Sequence, residues 1–178
     1  VKKGLVRIIY VEDGTKRWYL GEKLHEKLHR VDGPAIIHAD GSQEWWLNGK
    51  RHRGGGPAII HADGSQEWYL NDKLHRVDGP AIIFANGDKA WFINGKKHRE
   101  DGPAIIFANG DKAWFINGKK HREDGPAFIL ADGTQKWFIN GNAISDAEIK
   151  EWQEQYNIPE NYLEWNTQHK MLFKLRFF

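Results

Sequence analysis

Residues 33–55 read GPAIIHADGSQEWWLNGKRHRGG, and how this stretch folds decides the architecture. GPAIIHA and SQEWWL are two short β-favouring runs around Asp40-Gly41, a dipeptide that supplies the positive φ angles of a tight hairpin turn. The return run ends at Asn48-Gly49, and a basic stretch then leads to Gly56 and Pro57, which end the connection and aim the next strand. Pro34 opens the first run, where a missing N–H is tolerated.

The same unit recurs every 23 residues. Gly-Pro-Ala begins at Gly33, Gly56, Gly79, Gly102 and Gly125, and His-Arg begins at His29, His52, His75, His98 and His121. In register with them stand Trp45, Trp68, Trp91, Trp114 and Trp137, and the asparagines Asn48, Asn71, Asn94, Asn117 and Asn140. The turn pair recurs as Asp63-Gly64, Asn86-Gly87, Asn109-Gly110 and Asp132-Gly133. Residues 29–143 therefore read as five hairpin repeats. Residues 1–28 supply an N-terminal cap and a degenerate first hairpin, Ile8 to Leu20, set off by the extra residues of KLHEKLHR. Residues 81–103 and 104–126 are identical strings, so the divergent repeats carry the information about what must be kept.

If Asp40-Gly41 is a two-residue turn, Ile36 lies opposite Trp45 and Ile37 opposite Glu44. One face then carries Ile36, His38, Trp45 and Leu47, and the other Ala35, Ile37, Glu44 and Trp46. Both faces are apolar enough to need cover, and parity alone leaves open which is exposed. A lone hairpin buries neither, so the expected fold is all-β: tandem hairpins forming an elongated twisted sheet or solenoid. After Gly141 the periodicity stops. Ser145 to Glu148 reads as a capping box, with Ile144 and Ile149 as a hydrophobic staple, which predicts a helix over about 146–156. Phe173, Leu175 and Phe177 alternate with Lys174 and Arg176, which predicts a strand over about 171–178. Residues 144–178 are thus expected to cap the array with a helix plus a strand.

Composition narrows the chemistry. The 26 Lys and Arg nearly balance 24 Asp and Glu, so no strong field demands nucleic acid or anionic lipid. The absence of cysteine removes disulfides, thiolate metal sites and cysteine nucleophiles. No run approaches a membrane span, and Val1 to Arg7 lack the apolar core of a secretory signal, so a soluble cytoplasmic protein is the expectation.

The 23-residue hairpin period, with NGK-x-H at Asn48 to His52, DG turns and an aromatic strand, resembles the MORN repeat over roughly residues 8–143. It is more similar to the variant MORN repeats of YwqK-type antitoxin-like proteins. The HREDGPA signature at residues 98–104 is also similar to arrays encoded by large bacteriophages and giant viruses. The resemblance implies a β-hairpin scaffold for protein association, with an inhibitory or neutralising role. Pro34 and Ala35 depart from the family, which usually has an aromatic after the glycine, and Trp45 is displaced along the return strand.

No nucleophile elbow, phosphate loop or metal-protease helix is present, and similar units in series suit a surface better than one assembled active site. No catalytic residue, metal or cofactor is therefore expected. Asp40 with Glu44, and Asp63 with Glu67, are the nearest approach to a paired-acid site, but the aspartates occupy turns. Equivalent histidines of neighbouring repeats are two strand spacings apart, roughly 9 to 10 Å, too far to share one zinc. A mixed site of His29 with His38 or Asp32 is the remaining metal candidate.

The partner-binding candidates are the aromatic ladder Trp46, Tyr69, Phe92, Phe115 and Phe138. A protein partner is the expectation. The alternative is nucleic acid or a membrane surface held by the basic turns Lys50, Arg51, Lys96, Lys97, Lys119 and Lys120, although Glu100-Asp101 and Glu123-Asp124 follow and offset their charge. An open sheet edge would also permit self-association.

Overall fold

The computed structural model describes residues 6–10, 13–21 and 26–178. Parts of the expected N-terminal cap, first hairpin and KLHE insertion (residues 1–5, 11–12 and 22–25) lie outside them. The chain divides into two compact units, Val1–Gly95 and Lys96–Phe178.

In the first unit, Val6–Tyr10 and Lys16–Leu20 form an antiparallel hairpin with Ile8 opposite Trp18. Lys27–Leu28 pairs with one end of the second strand and Ile36–Ile37 with the other. The antiparallel sheet continues through Gln43–Glu44, Ile59–Ile60, Gln66–Glu67, Ile82–Ile83 and Lys89–Ala90. In the second unit, Ile105–Ile106, Lys112–Ala113, Phe128–Ile129, Gln135–Ile139 and Asn142–Ile144 pair in that order. These are all-β hairpin repeats.

Each repeat is two hairpins rather than one, and the turn chemistry differs from the expectation. At Asp40-Gly41 the His38 N–H donates to the Ser42 carbonyl at 2.9 Å and the Gly41 N–H to the His38 carbonyl at 3.0 Å. This is a three-residue loop closed by Gly41 at φ 91°, a type I turn followed by a left-handed residue. The two-residue turn is at Asn48-Gly49, with φ of 52° and 81°, and it joins Trp46–Leu47 to Lys50–Arg51. Asn71-Asp72 does the same for Tyr69–Leu70 and Lys73–Leu74.

The extra loop residue slips the register by one. Ile36 faces Glu44, not Trp45, and Ile37 faces Gln43. A one-residue slip reverses every side chain of the return strand, so the expected division of faces is corrected. Ile36, His38, Glu44 and Trp46 lie on one side, where His38 and Trp46 both bond to Glu44. The tryptophan at 45 leaves the sheet register: its N–H donates to Ala58 at 2.7 Å, and its carbonyl accepts from His52 at 3.0 Å.

Ala35, Ala58, Ala81, Ala104 and Ala127 are completely buried. The Ala35 N–H donates to Glu44 at 2.7 Å and its carbonyl accepts from Trp18 at 2.8 Å, so the residue sits where two hairpins meet. The backbones approach too closely there for a larger side chain, which accounts for alanine after every Gly-Pro.

The largest apolar cluster lies in the second unit, where Trp137 and Ile139 meet Ile149, Trp152, Ile158, Trp165 and Phe173. Helix α1 spans Asp146–Tyr156, with the Ser145 to Glu148 capping box formed and Asn157 closing it in the left-handed conformation. Helix α2 spans Thr167–Phe177 and replaces the strand expected over 171–178. The alternation there misled because Phe173 and Phe177 also satisfy the i, i+4 spacing of a helix. Their ring centroids are 4.9 Å apart, while Leu175 is left exposed. Asn166 and His169 cap the helix start, a signal overlooked in favour of the alternation.

Ala104→Val should add volume where none is free and lower the unfolding free energy by about 1 to 3 kcal/mol, read as a lower urea midpoint. An unchanged midpoint would show that the hairpins do not meet as tightly as described.

Candidate binding surface

The smaller hairpin of each repeat positions the aromatic ladder. Trp46 pairs across the Asn48-Gly49 turn with Arg51, and Phe115 across Asn117-Gly118 with Lys120. Asn48 is held left-handed from a distance: its N–H donates to Nδ1 of His29 at 3.0 Å. The same contact links Asn94 to His75, Asn117 to His98 and Asn140 to His121, each 19 residues apart. The repeated histidines are thus turn clamps.

The two candidate surfaces are halves of one. The Arg51 guanidinium lies 5.5 Å from the Trp46 ring and 5.0 Å from that of Tyr69. In the second unit, the Lys97 ammonium is 5.1 Å from Phe115, and that of Lys120 is 4.6 Å from Phe138 and 5.3 Å from Phe128. Cations at these distances are attracted by the negative ring faces. Lys50, Lys96 and Lys119 are exposed instead. The stems of Lys96 and Lys119 pass beside the turn glycines Gly118 and Gly141. Trp46, Tyr69, Phe92 and Phe138 are partly buried and Phe115 is buried, so the ladder presents ring faces and edges rather than free-standing side chains.

The polar tips of the first two rungs are sealed. Glu44 accepts from Trp46 Nε1 at 2.9 Å and meets His38 Nε2 at 2.8 Å. Glu67 accepts from the Tyr69 hydroxyl at 2.8 Å and meets His61 Nε2 at 2.8 Å. Burial, and then the carboxylate of Glu67 beside it, push the Tyr69 phenol up to about 12, against a smaller opposing pull from Arg51. The next two repeats replace each triad as a block, by Phe84, Ala90 and Phe92 and by Phe107, Ala113 and Phe115. A buried hydrogen-bonded group and its partner are best removed together, which explains the joint change. That joint change between internal repeats was visible in the sequence and would have revealed the triads.

The carboxylates considered for chemistry have structural partners. Asp40 and Asp63 each accept the N–H two residues on, from Ser42 and Ser65 at 2.8 Å, and that bond holds them below the usual carboxylate range. Asp32 is bonded to Arg30 Nε at 2.9 Å, and His29 and His38 face Asn48 and Glu44 respectively. Among the described residues no three metal-ligating side chains converge, and no helix is long and apolar enough to cross a membrane.

A second cationic series lies against the tryptophans. Arg30, Arg53, Arg76 and Arg122 stack on Trp18, Trp45, Trp68 and Trp114, with guanidinium carbons 3.8 to 4.3 Å from the ring centroids. No family model matches the chain, and no curated protein aligns with it.

Replacing Glu67 alone by alanine should cost about 1 to 2 kcal/mol by stranding His61 and Tyr69. The combined His61→Phe, Glu67→Ala, Tyr69→Phe variant, which installs the apolar set of the following repeat, should recover most of that loss in urea unfolding. Costs that simply add across the three positions would show that they do not act as a unit.

Proposed function

We propose that the chain is a non-enzymatic repeat scaffold that binds a protein partner through its aromatic ladder and the cations seated on it. The observation that carries this reading is Arg51 between the rings of Trp46 and Tyr69, whose polar tips are already occupied by Glu44 and Glu67. Ring faces and a guanidinium held partly out of water are the groups that dominate protein interfaces. The arrangement recurs from repeat to repeat with different side chains, giving graded contacts along a surface and no single reacting centre. The MORN-like character of the motif supports an inhibitory or antitoxin-like neutralising role, of the kind a phage-encoded protein would direct at its host, acting in the cytoplasm.

A nucleic-acid reading draws on the exposed Lys50, Lys96 and Lys119. It is disfavoured because Arg51, Lys97 and Lys120 already sit on rings and the overall charge is only +2.

Capture from nuclease-treated lysate, with mass spectrometry of the bound proteins, tests the proposal. Trp46→Ala and Phe92→Ala, each confirmed as folded by circular dichroism, should weaken capture of the same protein by about thirtyfold, the loss expected at an interface hot spot. Recovery of nucleic acid alone, with binding that falls steeply as salt is added, would overturn it.

A further inference from the structure

Four repeats share an internal ion pair that the second lacks. Nε of Arg30, Arg76, Arg99 and Arg122 donates to the carboxylate two residues on, that of Asp32, Asp78, Asp101 and Asp124, at 2.8 to 2.9 Å. Where neighbouring repeats read Arg30-Val31-Asp32-Gly33 and Arg76-Val77-Asp78-Gly79, the second repeat reads Arg53-Gly54-Gly55-Gly56. Both the carboxylate and the apolar side chain before it are missing.

The arginine itself stays in place. Its Nη1 donates to the Pro57 carbonyl at 3.0 Å, its backbone N–H to the Tyr69 carbonyl at 3.2 Å, and its guanidinium carbon is 3.8 Å from the Trp45 ring centroid. Each of these contacts has a counterpart at Arg76, where the distances are 3.3, 3.1 and 4.2 Å. The guanidinium is therefore held as in its neighbour, while among the described residues no carboxylate reaches its Nε edge. The backbone there is not specialised for glycine. Neither Gly54 nor Gly55 has a positive φ, and a Cβ on either would meet nothing within 4 Å.

Arg53 opens onto a groove of about 550 Å³ whose other wall includes Trp68, Leu70, His75 and Val77. Val77 is 85% exposed and Leu70 38%, so apolar surface flanks the open cation. Asp78, the acid of that wall, is bonded to Arg76 at 2.9 Å.

We infer that Arg53 accepts a carboxylate in trans: the aspartate of a protein partner, carried on a short exposed segment beside a small apolar residue that packs on Val77 and Leu70. The inference rests on the protein-binding reading and adds a place and a chemistry to it. A peptide-borne carboxylate is the occupant because in four repeats the equivalent edge is met by an aspartate of the chain itself, two residues past the arginine and within a bend. A guanidinium already fixed by a ring and a carbonyl also loses little freedom on gaining that partner.

The test is a titration of the folded protein, followed through its assigned arginine Nε–H resonances, with the blocked peptide acetyl-Val-Asp-Gly-amide. The Arg53 resonance should shift saturably while those of Arg30, Arg76, Arg99 and Arg122 stay in place. The peptide with asparagine for aspartate should bind about fivefold more weakly, the difference between a charged and a neutral acceptor, and acetate should give no saturable shift over the same range. Gly55→Asp should fill the site in cis, so that the Arg53 resonance starts at a position like those of the paired arginines and no longer responds. An equal response to the asparagine peptide or to acetate, or a continued response in Gly55→Asp with its circular dichroism unchanged, would overturn the inference. No captured partner enters this titration. A flat response would remove the site while leaving ladder-dependent capture intact, and failed capture would leave the peptide response in place.

Discussion

Most strands in the repeats are two residues long, such as Ile59–Ile60 and Gln66–Glu67, and a pair of such strands has too few hydrogen bonds to hold itself together. Side chains that reach from one repeat into another make up the difference. Arg76 shows how: its ring contact is with Trp68, its Nη1 bonds the Pro80 carbonyl, and its backbone N–H bonds Phe92. The close approach explains the glycine of Gly-Pro-Ala, since a Cβ on Gly79 would lie 3.0 Å from the guanidinium carbon of Arg76. Hydroxyls and imidazoles add further ties. Ser42 Oγ accepts the Ala62 N–H and Ser65 Oγ that of Ala85, both at 2.9 Å, while His75 clamps Asn94. The histidine, arginine, glycine and alanine of His-Arg-x-Asp-Gly-Pro-Ala thus serve contacts between repeats, while the aspartate pairs within its own repeat and is absent from the second.

The same logic accounts for what the surface can offer. Fastening uses up the histidines and the Asp-Gly aspartates, leaving the ladder, the cations resting on it and the exposed lysines as variable outward chemistry. Where a repeat changes its ladder residue from Trp46 or Tyr69 to Phe92, it also changes the acid and the imidazole behind it. Recognition properties can therefore vary along the array without disturbing the fasteners. The second repeat's loss of its aspartate is the opposite kind of change, an internal ion pair surrendered while the ring and carbonyl contacts of Arg53 persist.

The repeat period and hairpin character were legible because they depend on local turn chemistry and alternation. The register was not. Asp-Gly serves both two-residue and three-residue loops, and the contact of Glu44 with His38 and Trp46 accompanies the three-residue form without dictating it, since the third repeat keeps the same loop and register with Phe84 and Ala90 in their place. The recurrence of an aromatic at Trp46 and its equivalents was legible, but its relation to the basic turns was hidden, because Arg51 meets Trp46 across a turn whose type was assigned to the wrong dipeptide. At the C-terminus, Phe173 and Phe177 fit two periods at once. Packing against Trp137, Trp152 and Trp165 accompanies the helix, and no local rule contains that information.

Repeats are held through their neighbours by the arginine of His-Arg. Native-state hydrogen exchange of Arg76→Gln tests it most directly. Loss of the ring contact should speed exchange at amides in both flanking regions, Trp68 and Ala58 on one side and Gly95 on the other, whose hydrogen bonds lie outside residues 75–80. Faster exchange confined to residues 75–80, with those three amides as protected as before, would contradict it.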